Sequence, residues 1–143
     1  LEREIVAASH GDDPDVILIE GQGALSHPAF CTSAFILRGS QPHCVVLQHA
    51  PKRAHRCDFP SMPIPVPKSE IALIEAFADI RVIGITLNHE AMTGTEVDRA
   101  IDSLSRDLGI PVTDALTRPE VHLSDMVLAA FPQLRSVPLA AAE

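Results

Sequence analysis

The chain has 143 residues, a formal net charge of 11 − 19 = −8 with neutral histidines, and 46% hydrophobic but only 3% aromatic residues, with no Trp or Tyr. That hydrophobic share excludes a disordered chain, and a domain of this length buries about 70% of its unfolded surface. The negative field disfavours nucleic acid and anionic lipid, and no apolar run approaches the roughly 18 residues of a membrane span, so neither is an expected partner.

The three cysteines, Cys31, Cys44 and Cys57, are an odd number rather than a paired framework. The opening Leu-Glu-Arg-Glu has no apolar leader. Both point to a cytoplasmic chain with reduced thiols. Leu1 to Ser9 reads as the last turns of a helix stopped by His10-Gly11, with the glycine free to take the left-handed conformation. A chain that begins inside an element reads as a piece of something longer.

Continuous aliphatic runs mark strands buried on both faces. They occur at Asp15 to Glu20, at His43 to Gln48 and at Arg81 to Asn88, and the spacing predicts a strand at each. Between them, His27-Pro28 opens a predicted helix over Ala29 to Leu37 that ends at Gly39, and a second helix is expected over Lys68 to Ala78. Thr95 to Leu108 is the clearest helix. Thr95 is its expected cap, Val97, Ala100, Ile101, Leu104 and Leu108 form one stripe, and Gly109-Ile110-Pro111 ends it. Ile110 to Thr113 reads as a short edge strand, and a last helix runs from near Pro119 to about Ala130. Five of the twelve prolines fall between Pro51 and Pro67, a segment read as functional or covering rather than as a spacer. The pattern is α/β, a three-layer arrangement around a mostly parallel sheet, forming one domain over residues 1–143.

In such sheets ligands bind beyond the carboxyl ends of the strands. The three exits are Glu20-Gly21-Gln22-Gly23, Gln48-His49-Ala50-Pro51-Lys52-Arg53 and Asn88-His89-Glu90. The two glycines allow a sharp turn close to a ligand, and the helix after His27 would aim its first amides at the same space. A dinucleotide fingerprint fails, because Ser26 stands where the third glycine belongs and no acid ends the next strand. Glu20 fits the slot of a Mg²⁺-holding acid, but Gly-x-x-x-x-Gly-Lys-Ser/Thr does not occur in these 143 residues. Lys52, Arg53, His55 and Arg56 cluster at the second exit, where an arginine can grip a carboxylate with two bonds. His43, Cys44, His49, His55 and Cys57 lie within fifteen residues but contain no Cys-x2-4-Cys pair, which argues against zinc. No metal ligand set is expected.

Taken in order, Ile19-Glu20-Gly21-Gln22-Gly23-Ala24-Leu25-Ser26-His27-Pro28-Ala29-Phe30, Gly39-Ser40-Gln41-Pro42, Leu47 to Arg53, Pro63-Ile64-Pro65, Gly84 to Asn88 and Gly109 to Asp114 carry a resemblance. Over about Asp15 to Asp114 the chain resembles the C-terminal part of a formerly uncharacterised bacterial and archaeal family that includes the D-glutamate N-acetyltransferase DgcN. The resemblance implies a P-loop-NTPase-like domain that follows a Rossmann-like N-terminal domain, usually in a homo-oligomer, with that domain and the phosphate loop outside this sequence. More distantly the chain looks like dethiobiotin synthetase, with Glu20 and Asn88 standing at corresponding strand ends.

The reaction implied by the resemblance is acetyl transfer from acetyl-CoA, as co-substrate, to the amine of D-glutamate. Glu20 or His49 would take the ammonium proton. Lys52 and Arg53 would bind carboxylates or CoA phosphates, and the Gly21 and Gly23 amides would face the developing oxyanion. Gln22, His27 and Asn88 complete the expected substrate-binding set. Two other classes stay open: a Mg-ATP-dependent ligase or kinase of the dethiobiotin-synthetase kind, and a non-catalytic ligand-binding or subunit-interaction piece.

Overall fold

The aliphatic run at 81–87 becomes the middle strand of a parallel sheet. In the computed structural model, which describes residues 1–117 and 121–136, this strand, β4 (Arg81–Leu87), lies between β1 (Cys44–His49) and β5 (Val112–Thr113) and runs parallel to both. Val45 faces Val82 but Val46 faces Gly84, so Ile83 is an extra residue that bulges β4 and resets its register. Beyond the bulge the ladder is regular, from Leu47 opposite Ile85 to His49 opposite Leu87.

Helices cover the sheet on two sides. Ile85 and Leu87 pack with Val112 and with Val97 of α4 (Gly94–Leu108), and the predicted stripe of Ala100, Ile101, Leu104 and Leu108 closes over them. Val82 packs instead with Leu37 of α2 (Thr32–Ser40) and Ile74 of α3 (Pro67–Ala78). The result is the three-layer, mostly parallel α/β arrangement expected of a chain whose strands are apolar on both faces. α5 (Val121–Ala130) brings Met126 against β4. A β-carbon on Gly84 would sit 2.6 Å from the Met126 sulfur and 3.1 Å from the Pro111 carbonyl oxygen, so the missing side chain is what lets α5 approach.

Four expectations about local structure change. The run 15–20 forms no strand, and Leu18 is 87% exposed, because no neighbouring strand among the described residues pairs with it. α1 (Glu2–Asp12) continues through Gly11, and Asp13, not the glycine, takes the left-handed turn at φ 45°. α2 begins after Cys31 and runs through Gly39 to Ser40, with Gln41 left-handed at φ 47° and donating its amide to the Leu37 carbonyl. Asn, Asp and similar polar residues tolerate that region when a helix-end hydrogen bond is gained. The predicted start of α5 at Pro119 lies outside the described residues. The Pro-rich segment folds into an antiparallel hairpin, β2 (His55–Arg56) with β3 (Phe59–Pro63), turned at Asp58 with φ 65°. Among the described residues no helix is long and apolar enough to cross a membrane.

The fourth change is the cap of α4, which sits at Thr93 rather than Thr95. Thr93 and Glu96 form a reciprocal capping box: the Glu96 amide donates to Thr93 Oγ1 at 3.4 Å, and the Thr93 amide donates to Glu96 Oε2 at 2.8 Å. Lys52 donates to the other Glu96 oxygen at 2.5 Å. Lys52 first, then the Thr93 amide and hydroxyl, hold the Glu96 carboxyl at about 2, below its ordinary 4.5. A depressed carboxyl pKa contributes stability that is present above about pH 4.5 and lost as the pH falls toward 2. The Glu96 carboxyl carbon should therefore titrate near pH 2 by NMR, and Lys52→Met should move the midpoint upward. Thr93→Ala should cost about 1 kcal/mol in a denaturant titration.

Candidate active site at the carboxyl ends of the strands

The glycine loop is anchored from behind. Gly23 takes φ 81°, a conformation that favours glycine, and its carbonyl accepts the Ser33 hydroxyl of α2 at 2.6 Å. Ser26 donates its amide and its hydroxyl to the two oxygens of Glu70 on α3, at 3.1 and 2.6 Å, and Glu70 is 4% exposed. The Ser26 hydroxyl in turn accepts from the Arg56 guanidinium at 2.8 Å. The hairpin, the loop and α3 are thus joined through one serine.

His27 is fixed as firmly. Its Nδ1 accepts the amides of Ala29 and Phe30, each at 3.2 Å, so the ring proton resides on Nε2. The ring stacks on Phe30 with centroids 4.4 Å apart and meets the edge of Phe59 at 5.4 Å. His27 Nε2, Arg56 Nε and His89 Nδ1 are buried with no hydrogen-bond partner among the described residues. Glu20, Gly21 and Gln22 are exposed, and Glu20 makes no hydrogen bond or ion pair to a described residue.

A second group gathers at the ends of β1, β4 and β5. His49 closes β1, its carbonyl accepting the Asn88 amide at 2.8 Å, and burial pushes the His49 imidazole below its ordinary pKa. Asn88 Oδ1 accepts the Glu90 amide at 3.1 Å. Lys52 pairs with Glu96 at 2.5 Å and Arg53 pairs with Glu90, so both expected carboxylate-binding cations already hold acids of this chain. The 49–56 segment carries His49, Lys52 and Arg53 at this group and Arg56 at the glycine loop.

His89 belongs to the third strand exit and Asp114 ends the Gly109 to Asp114 stretch; the structure joins them. His89 Nδ1 lies 2.6 Å from Asp114 Oδ2, across 25 residues of chain. Asp114 is 0% exposed, yet its carboxyl stays below the ordinary range. Burial alone would raise it, but the Thr117 hydroxyl at 2.7 Å, the Leu116 amide at 2.9 Å and His89 outweigh that effect. Contact between residues that follow different strands leaves no local spacing signal, which is why the pair was invisible in the sequence. Cys44 is a partly buried thiol of raised pKa, the effect of desolvation. Among the described residues no group of three His, Cys, Asp or Glu could hold a metal ion.

Residues 1–124 match the family model described as "Domain of unknown function (DUF1611_C) P-loop domain". The chain is similar to a protein named D-glutamate N-acetyltransferase from Pseudoalteromonas sp, with 35% identity over 69% of this chain and 32% of that protein. A second protein of that name, from Tritonibacter scottomollicae, is 27% identical over 82% of this chain and 37% of the relative. The chain spans about a third of the length of these curated relatives. A crystal structure of a DUF1611 family protein from Anabaena variabilis ATCC 29413, at 2.30 Å resolution, superposes with a TM-score of 0.80 at 32% identity, over 88% of this chain and 39% of the other. On the match over residues 1–124, the chain belongs to the DUF1611 family, within its P-loop domain.

Proposed function

We infer that this chain is part of an enzyme that transfers an acetyl group from acetyl-CoA to the amine of D-glutamate. The observation that carries the reading is family membership together with two relatives of that name, at 35% and 27% identity. The rim supports it chemically. D-glutamate brings two carboxylates and an ammonium group, and the rim offers two cations, Lys52 and Arg53, beside histidine and carboxylate bases. The amine must lose a proton before it can attack the thioester. Glu20 and His49 are the acceptors expected from sequence, and the neutral imidazole favoured by burial of His49 suits that work.

The exposed Gly21 and Gly23 region would lie against the thioester oxygen, with its amides turned to the developing negative charge. His27, locked as an Nε2 donor, and Asn88, whose carbonyl oxygen already serves Glu90, would border the same substrate.

The test uses the complete gene product with acetyl-CoA and D- or L-glutamate, scoring free thiol. Thiol release that depends on D-glutamate is the expected result. Phosphate release from ATP, with no thiol from acetyl-CoA, would favour the ligase or kinase class instead. Within an active protein, Lys52→Met with Arg53→Met should raise KM for glutamate by less than the roughly tenfold of one full charged contact, because each cation exchanges a resident acid for the substrate, with a smaller change in kcat. An unchanged KM would remove both cations from substrate binding.

A further inference from the structure

We propose that His89, oriented by the buried Asp114, is the base that takes the proton from the amine acceptor; the assignment rests on the acetyl-transfer reading. Three candidate bases, two at strand ends and Glu20 on the loop that replaces the expected first strand exit, differ in what lies behind them. Glu20 is exposed and has no described partner to orient it. His49 is partly buried, with no side-chain hydrogen bond to a described residue. His89 has a carboxylate fixed behind it.

The Asp114 carboxylate is held by the Leu116 amide on Oδ1 and the Thr117 hydroxyl on Oδ2, so its position is set before any ligand arrives. Its Oδ2 stands 2.6 Å from His89 Nδ1. An anion this close favours positive charge on the ring, which supports the exposed side of His89 as a proton acceptor. Nδ1 is buried and meets Asp114 as a close ion-pair contact rather than an aligned hydrogen bond, whereas the His89 side chain as a whole is 33% exposed, so the accessible part of the ring lies away from Nδ1. A buried carboxylate behind a half-open imidazole is the arrangement that both orients a base and stabilises its protonated form.

Two acids that follow His89 in the chain are already paired with cations. Glu90, the next residue, is held by Arg53, and Glu96 at the start of α4 is held by Lys52. His49 ends the neighbouring strand, its carbonyl bonded to the Asn88 amide. Asp114, by contrast, has His89 as its charged neighbour.

The steps balance. Nε2 takes one proton from the ammonium group. The freed amine attacks the thioester carbonyl carbon, forming the C–N bond, and the C–S bond breaks as the oxyanion collapses. The imidazolium gives its proton to the departing CoA thiolate, the second proton of the new amide nitrogen passes to water, and the third remains as the amide N–H.

The experiment is a pH profile of kcat and kcat/KM for the complete gene product with acetyl-CoA and D-glutamate, from about pH 5.5 to 9, which brackets the histidine range. His89→Gln should lower kcat by about 100-fold or more, leave KM for glutamate within about threefold, and abolish the acid limb of the profile. Glu20→Gln should keep that limb. Asp114→Asn, which removes the anion facing Nδ1, should lower kcat while its near-ultraviolet circular dichroism remains that of the wild type. Should Asp114→Asn fail to fold, His89→Gln alone decides. An active wild type in which His89→Gln stays within threefold, or in which Glu20→Gln loses the acid limb instead, overturns the assignment and leaves acetyl transfer standing. A wild type that releases no thiol with any amino acid overturns acetyl transfer, and the assignment with it.

Discussion

Glu70→Ala is expected to lower the unfolding free energy by about 3 kcal/mol, measured as a shift in urea midpoint at unchanged slope. The carboxylate is 4% exposed and accepts both the amide and the hydroxyl of Ser26. Removing it strands two donors, each bonded to a charged acceptor, and leaves the Arg56 guanidinium on a hydroxyl that has lost its own acceptor. The loss is local as well as global. Ser26 ends the glycine loop, so amide exchange over 21–27 should accelerate in Glu70→Ala before the sheet is affected. Glu70→Gln keeps one oxygen for the Ser26 amide and should cost less than half as much. Equal costs for the two variants would show that the burial of the side chain, and not its acceptor oxygens, is what matters.

Gly84→Ala carries the second large effect. The added carbon meets Met126 sulfur at 2.6 Å and Pro111 carbonyl oxygen at 3.1 Å. The sulfur is the mobile neighbour, but the Pro111 oxygen accepts the Ile85 amide at 2.9 Å and cannot move without disturbing the entry to β5. Overpacking of this kind costs about 1–3 kcal/mol. Met126→Ala alone should cost about 2–5 kcal/mol by opening space under α5. The two should not add: with Met126 truncated, the new β-carbon fills part of the space, and the double variant should be more stable than the sum by about 1 kcal/mol or more. Additivity within about 0.5 kcal/mol would place the strain at the Pro111 carbonyl rather than at the sulfur.

What the residues revealed in advance was the sheet's interior and one helix. Val82 to Leu87 is apolar on both faces, and a strand buried between two helix layers leaves no other pattern. The α4 stripe was readable because 3.6-residue spacing and a single core face are the same fact. The run Val16 to Ile19 has the same composition as the buried strands, yet Leu18 stands in the open. Apolar composition reports what a segment would gain from cover, not whether a neighbour supplies it. Helix ends misled for a different reason: Gly11 and Gly39 are permissive residues, and permission is not obligation when Asp13 and Gln41 can take the turn. Thr93 could have been chosen over Thr95, since only Thr93 has a glutamate three residues on.

At the site, the strand-exit rule located His49, Lys52, Arg53, Asn88 and His89 on one rim, because topology alone dictates it. The pairings were out of reach. Arg53 with Glu90, Lys52 with Glu96 and His89 with Asp114 all join residues 25 or more positions apart.

Those internal pairs make the rim a place of exchange. An acid that arrives at Lys52 or Arg53 replaces Glu96 or Glu90, so the net gain is the difference between two similar contacts rather than the full value of one. Added salt weakens the resident pair and the incoming one together. Occupancy by a dicarboxylate should then depend little on ionic strength, and selectivity would come from chain length and reach, which decide whether one ligand can displace two tethered rivals at once.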